Sequence, residues 1–127
     1  MTENELATVV IGVCIDIHRT WGPGLLESAY EALLVHRLRK RKLSVEQQVP
    51  VPLEDDGVRI DIGFRADIII ERKLLVELKS VENLHDVFAK QTLTYIRILN
   101  IKLGLLINFG EAYLRDGIKR VINGQLE

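Results

Sequence analysis

Two neighbouring apolar segments that each carry charged side chains constrain this chain more than any other feature. Residues 66–70 read Ala-Asp-Ile-Ile-Ile, and residues 74–79 read Leu-Leu-Val-Glu-Leu-Lys. Apolar runs of this kind predict strands that are buried on both faces of a sheet. Residues 71–73 are enough for a short hairpin loop, so we predict that the two strands pair antiparallel. The chain therefore folds around a central sheet.

The predicted hairpin brings charged side chains together on one face. A three-residue loop makes Ile70 face Leu74, and counting back then places Asp67 opposite Glu77. Lys79 points to the same face as Glu77, because side chains alternate along a strand. Like charges across a ladder are destabilising, and buried charges need a partner. A divalent cation would offset both carboxylates, so the pattern is typical of a phosphoryl-transfer site in which Lys79 positions water or stabilises developing charge.

The same short pattern has a second interpretation. Glu77 and Lys79 can form a surface ion pair while Asp67 caps a turn. The apolar neighbours on both strands weaken that interpretation because they favour burial. From the residues alone, the metal site and the surface pair both remain open.

The rest of the chain completes one α/β domain over residues 1–127, in the order α-α-β-β-β-α-β. Its sheet is predicted to be mixed, with about four strands flanked by helices. Pro50 and Pro52 predict that the first strand is an edge strand or an irregular one. Residues 109–127 are expected to add one short strand or helix. In chain order, periodicity predicts helices over about 3–19 and 25–42, strands over 45–53, 58–70 and 74–79, a helix over 83–99 and a strand over 103–108.

Charge limits the partners of the chain. It has 17 Lys+Arg against 18 Asp+Glu, for a net charge of −1. Proteins that grip duplex DNA usually carry a basic excess, so nucleic-acid binding here requires a local patch. The basic run at 37–42 is the best candidate, with Arg37 and Lys40 as substrate-binding residues, although it is also an ordinary solvated helix end. The patch could be extended by Lys90, Arg97, Lys119 and Arg120.

The chain shows no feature of a membrane or secreted protein. No run approaches the roughly 18 apolar residues of a membrane span, and the N-terminus lacks the layout of a signal peptide. The lone Cys14 supports neither a disulfide framework nor a cysteine metal site. We therefore expect a cytoplasmic protein without a membrane partner.

Residues 24–30, Gly-Leu-Leu-Glu-Ser-Ala-Tyr, resemble the signature of the GxxExxY proteins, a bacterial and archaeal group within the PD-(D/E)XK nuclease superfamily. The resemblance covers most of the chain and implies a restriction-endonuclease-like core. One departure is that Ala66, rather than proline, precedes Asp67. The similarity continues in order through His18-Arg19, Gly22-Pro23-Gly24, Arg65-Ala66-Asp67, Val76-Glu77-Leu78-Lys79, Gln91-Thr92-Leu93-Thr94-Tyr95 and Leu105-Leu106-Ile107-Asn108-Phe109-Gly110.

The resemblance also implies roles for single residues. Asp67 and Glu77 match the metal-binding carboxylates, and Lys79 matches the catalytic lysine. Glu27 resembles the helix-borne glutamate that completes the metal sphere in many members. Without the resemblance, Glu27 would be a first-turn glutamate favoured by the helix dipole. The implied metal is Mg²⁺ or Mn²⁺.

Gln91 and Tyr95 resemble the Q-x-x-x-Y element of recombination-type nuclease domains. There the two residues orient the catalytic lysine or contact substrate phosphate. Without the resemblance, helical spacing alone would make Tyr95 a core residue and Gln91 a surface residue.

These observations lead to the hypothesis of a Mg²⁺-dependent nuclease, with DNA favoured over RNA as substrate. The main alternative is a module that keeps the nuclease fold and binds nucleic acid or protein without cutting. A weaker alternative is a metal-dependent hydrolase of a small phosphorylated compound. A homodimer is compatible with these hypotheses, because small nucleases often use a second subunit to grip or cut both strands.

Overall fold

The computed structural model describes residues 1–126 and contains three α-helices and seven strands. A capping box starts the first helix, where the Glu5 backbone N–H donates to Thr2 Oγ1 at 3.2 Å and the Thr2 N–H donates to Glu5 Oε1 at 2.9 Å. Gly22, with φ of 73°, ends it. The elements are α1 (Glu3–Trp21), α2 (Glu27–Lys40), β1 (Val45–Pro50), β2 (Leu53–Asp55), β3 (Val58–Ile60), β4 (Arg65–Ile70), β5 (Leu74–Lys79), α3 (Asp86–Ile98), β6 (Leu103–Asn108) and, after a 3₁₀ turn (Leu114–Gly117), β7 (Ile118–Ile122).

Five strands form the main sheet in the order β1-β4-β5-β6-β7. β5 and β6 are parallel, and the other neighbours are antiparallel. Ile70 pairs with Leu74 across the loop, so the predicted register of the hairpin is confirmed. β1 lies at an edge, as its prolines predict. The restriction-endonuclease-like α/β fold expected from the sequence is confirmed.

The two faces of the sheet are covered by different helices. Ile68 and Val76 pack with α1 and α2 in one apolar cluster. Ile69 and Leu75 pack with α3 in a second cluster on the other face. Because side chains alternate along β5, Glu77 lies on the α3 side, and α2 belongs to the opposite layer.

Some predicted boundaries are wrong. The fifth strand of the sheet, β7, comes from the final segment, where one short strand or helix was expected in addition to the roughly four strands. The predicted strand over 45–53 stops at Pro50, and Leu53 begins a separate two-stranded hairpin with β3. The extended run over 58–70 is interrupted where the Gly63 N–H donates to Asp61 Oδ1 at 3.2 Å, with Gly63 at φ of 83°.

The helices α2 and α3 are shorter than periodicity suggests, at 27–40 and 86–98. Periodicity locates the apolar face of a helix but not its last hydrogen-bonded turn. In the part of the chain that the structure describes, every helix is too short or too polar to cross a membrane.

Candidate active site

Asp67 and Glu77 meet where the β4–β5 ladder ends. The last paired residues are Ile68 and Val76. Beyond them, carboxylates replace backbone carbonyls as acceptors: the Asp67 N–H donates to Glu77 Oε1 at 3.0 Å, and the Leu78 N–H donates to Asp67 Oδ2 at 2.9 Å. The main chain thus holds one oxygen of each carboxylate. The main chain leaves the second oxygen of each carboxylate to other partners.

The position of Glu77 is electrostatically unfavourable for a charged carboxylate. Glu77 is only 6% exposed. Burial, together with the nearby charge of Asp67, raises the pKa of Glu77 to about 8, and Lys79 opposes this shift only weakly. Such a pair lacks sufficient positive charge within the protein and fits a divalent cation, which binds carboxylate oxygens.

Lys79 ends β5 on the same face as Glu77. Its ammonium group lies 4.5 Å from the centroid of the Phe88 ring, a cation–π contact. The carbonyl of Lys79 accepts a hydrogen bond from the Phe109 N–H at 2.8 Å, which fixes the end of the strand. Lys79 is therefore held by its neighbours beside the acidic pair.

Glu27 is the first residue of α2 and is half-buried. Burial raises its pKa, Lys79 opposes the shift, and the charges of Asp67 and Glu31 add to it. Glu27 therefore lies within electrostatic range of the acidic pair. Even so, among residues 1–126 no three acidic, histidine or cysteine side chains converge closely enough to hold an ion together. Glu27 borders the Asp67–Glu77 pair without joining it in a cluster.

Gln91 and Tyr95 approach the pair from α3. Gln91 Nε2 donates to Tyr95 Oη at 2.9 Å. Tyr95 is buried, and both this burial and the charge of Glu77 raise its pKa. Gln91 makes no hydrogen bond to Lys79 within residues 1–126, so in this structure it orients Tyr95 instead of the lysine.

Gln48 and Glu31 border the acidic pair, although neither was predicted from the sequence. Gln48 has a left-handed backbone with φ of 50°. Its Nε2 donates to Glu31 Oε1 at 3.0 Å and approaches Asp67 Oδ1 at 3.5 Å, while Gln47 Nε2 donates to Glu31 Oε2 at 3.0 Å. Glu31 follows Glu27 by four residues, so a shared helix face was a usable signal. A strained backbone at a non-glycine residue is often found at functional sites, but no sequence pattern predicts it.

Tyr30 fixes the loop that precedes Glu27. Its hydroxyl donates to the Gly22 carbonyl and accepts from the Leu25 N–H at 3.1 Å. Its ring stacks on Phe109, with centroids 4.1 Å apart. Ser80 Oγ donates to the Leu25 carbonyl at 2.8 Å, which ties the same loop to the end of β5. These bonds set the position of α2 relative to Lys79.

Asn108 holds the chain that follows Lys79. Its buried Oδ1 accepts from the N–H groups of Val81 and Gly110, each at 3.0 Å, and its Nδ2 donates to the Val81 carbonyl at 2.9 Å. A Cβ on Gly110 would lie 2.2 Å from the Val81 oxygen, so this contact requires glycine. The contacts of Asn108 and Gly110 with Val81 were not predicted from the sequence.

The predicted substrate-binding residues Arg37 and Lys40 lie away from the carboxylates. Both line a groove between α1 and α2. They follow Glu27 on the same helix by ten and thirteen residues, about 15 and 20 Å along its axis. The structure therefore brings Asp67, Glu77, Lys79 and Tyr95 together and leaves the two cations at the other end of α2.

Comparison with known proteins agrees with this geometry. The family model of the PD-(D/E)XK nuclease superfamily matches residues 4–121, which include all of the predicted site residues. No curated protein and no solved structure matches the chain.

Proposed function

We propose that this chain, which belongs to the PD-(D/E)XK nuclease superfamily, is a metal-dependent nuclease that hydrolyses phosphodiester bonds in DNA. The observation that carries the proposal is the buried Asp67–Glu77 pair, whose carboxylates are oriented by main-chain N–H groups beside Lys79. The spacing of Gly24, Glu27 and Tyr30 supports assignment to the GxxExxY group within the superfamily.

Asp67 and Glu77 would hold Mg²⁺ or Mn²⁺ through the oxygens that the main chain leaves free. Mg²⁺ commonly uses only one or two carboxylates and keeps water and phosphate oxygens as its other ligands, so two carboxylates suffice. A cation bound there would polarise the scissile phosphate and make a water molecule acidic enough to attack it. Glu27, on the border of the site, would contribute from α2 through an intervening water.

Lys79, Gln91 and Tyr95 would act on the substrate itself. The Lys79 ammonium would stabilise negative charge that develops on the phosphate oxygens. Since the Tyr95 hydroxyl accepts its hydrogen bond from Gln91, its own proton is free to donate to a phosphate oxygen. Gln91 thus serves as a positioning residue for Tyr95.

The proposed chemistry is compatible with DNA because the proposed nucleophile is water. Attack by water does not need the 2′-hydroxyl that RNA would provide, so nothing in the proposed chemistry requires RNA. The test is cleavage of labelled single-stranded DNA, duplex DNA and RNA with Mg²⁺ or Mn²⁺ and with EDTA. If the protein cuts DNA and EDTA stops the reaction, the result supports the proposal. Cutting that does not depend on metal would contradict it.

A non-cleaving binding module is a second candidate, because the acidic side chains do not form a three-ligand cluster in residues 1–126. In that case Mn²⁺ would not bind with useful affinity, and nucleic acid would bind equally with and without metal. Calorimetric titration of Mn²⁺ into the wild type and Asp67→Asn separates the two functions. If Mn²⁺ gives heat of binding with the wild type and none with Asp67→Asn, the result supports the nuclease function.

A further inference from the structure

A groove of about 730 Å³ lies between α1 and the C-terminal half of α2, outside the proposed active site. The floor is apolar, with Val13 and Leu33. The rim is basic and aromatic, and it is formed by Trp21, His36, Arg37, Lys40 and Arg41. An apolar floor with a cationic rim suits a ligand that has flat apolar groups on an anionic backbone.

The charge of the rim is not neutralised within the protein. Residues 37–42 contain five cations and no acid, in a chain whose net charge is −1. None of the ion pairs among residues 1–126 involves Arg37, Lys40 or Arg41. The single acid of the lining, Asp16, is already beside Arg19 at 3.9 Å. Free cations in a groove attract phosphate.

The cationic surface continues across α2. A second groove, which shares His36 and Lys40 with the first, is also lined by Arg39 and Lys42. Cations therefore flank both sides of the last turns of the helix, a wider surface than a single small anion would cover.

Trp21 suggests which form of nucleic acid binds. It ends α1 with 52% of its surface exposed, so core packing does not account for this large ring. Exposed aromatic rings beside cations serve as stacking platforms for unpaired bases. Bases in a duplex are already stacked on their neighbours, so such a platform favours a single strand.

We propose that the groove between α1 and α2 binds a single-stranded segment of the DNA substrate, with a base stacked on Trp21 and phosphates on Arg37, Lys40 and Arg41. This inference deepens the proposed nuclease function and rests on it for the choice of DNA. Arg37 and Lys40 lie about 15 and 20 Å along α2 from Glu27, so the groove adds affinity and selects strand type but takes no part in bond cleavage.

The test uses the only tryptophan of the chain as its reporter. Oligonucleotides of about 16 nucleotides, as single-stranded DNA, duplex DNA and RNA, are titrated in EDTA so that no cutting occurs. Trp21 fluorescence and the anisotropy of a labelled oligonucleotide are followed. We expect single-stranded DNA to quench Trp21 and to bind about tenfold more tightly than the duplex.

Two variants test the contacts. Trp21→Leu should weaken single-strand binding about tenfold by anisotropy. Arg37→Gln/Lys40→Gln should weaken it and reduce the slope of log affinity against log salt by about 1.4, because each phosphate contact on a single strand contributes about 0.7. The matched control, Arg59→Gln/Lys102→Gln, makes the same change in net charge at exposed positions and should leave affinity nearly unchanged.

The outcomes separate the groove from the nuclease. Three outcomes would each overturn the proposed groove. They are an equal loss of affinity in the two double variants, tighter binding of duplex DNA or RNA than of single-stranded DNA, and binding without a change in Trp21 fluorescence. Cleavage with Mg²⁺ is measured on the same proteins. If the groove variants cut DNA with the rate and KM of the wild type, the proposed groove is contradicted and the proposed nuclease function is not. If binding depends on the groove but no protein cuts, the proposed nuclease function is contradicted and the groove is not.

Discussion

The backbone N–H of Asp67 donates to the carboxylate of Glu77 at 3.0 Å, at the point where β4 and β5 stop pairing through their backbones. In the reverse direction, the Leu78 N–H donates to Asp67 at 2.9 Å. Two acidic side chains thus complete the ladder. Their orientation is determined by the sheet itself, which suits a site whose ligands must be in place before a cation or substrate arrives.

Asp67→Asn and Lys79→Ala should abolish cleavage while the protein stays folded. Asparagine keeps an oxygen for the Leu78 N–H but removes the charge that a cation needs, and alanine removes the ammonium that Lys79 places beside the pair. A loss of at least about a hundredfold is expected. Cleavage rates and melting temperatures provide the measurement, with Lys102→Ala as the exposed control. Wild-type cleavage by either site variant would rule out this assignment.

The stability of the metal-free protein should fall as pH rises. The pKa of Glu77 is about 8 in the folded protein against an ordinary value of 4.5, so the folded state retains a proton that the unfolded chain releases. That stabilisation is complete below about pH 4.5 and is lost as pH rises through about 8. Urea unfolding in EDTA across this range measures it.

Glu77→Gln, which is neutral at every pH, should flatten that dependence and make the metal-free protein more stable than wild type near pH 8. Mn²⁺ should stabilise the wild type most at the alkaline end, since it binds the ionised carboxylates. A wild-type stability that does not change over the range would contradict the raised pKa of Glu77.

Tyr30→Phe should destabilise the protein by about 1–2 kcal/mol, since it removes the hydrogen bonds to Gly22 and Leu25 but keeps the stack on Phe109. Looser attachment of the loop before Glu27 should also lower kcat more than it changes KM. Tyr113→Phe, at a position 66% exposed, is the matched control and should change stability by less than about 0.5 kcal/mol. Equal stability of the two variants would mean that Tyr30 acts only through ring packing.

Gly110→Ala should cost more than about 2 kcal/mol. Its new Cβ would meet the backbone oxygen of Val81 at 2.2 Å, and a backbone atom cannot rotate away. Gly12→Ala is the paired control, because it lies exposed within α1 with nothing within 4 Å of the new Cβ. It should stabilise by about 0.5–1 kcal/mol. Chemical denaturation of both variants tests the contrast, and a mild effect of Gly110→Ala would show that the loop after Lys79 can shift.

Features that follow from local rules could be predicted from the amino-acid sequence. A three-residue loop and the alternation of side chains were enough to place Asp67 opposite Glu77 with Lys79 nearby, because both rules act within one hairpin. Proline chemistry assigned β1 to an edge for the same reason. The resemblance of residues 24–30 to the GxxExxY signature singled out Glu27 but could not predict its distance from the acidic pair.

The way in which distant segments meet depends on tertiary packing and could not be predicted from local patterns. That packing placed Glu27 at the border of the acidic pair and separated Arg37 and Lys40 from it by the length of α2. It also brought Gln48 to Glu31 through a left-handed backbone, which depends on how β1 packs beside α2. Such contacts join residues far apart in the chain, and their geometry follows from the packing of whole helices and strands, which no local pattern encodes.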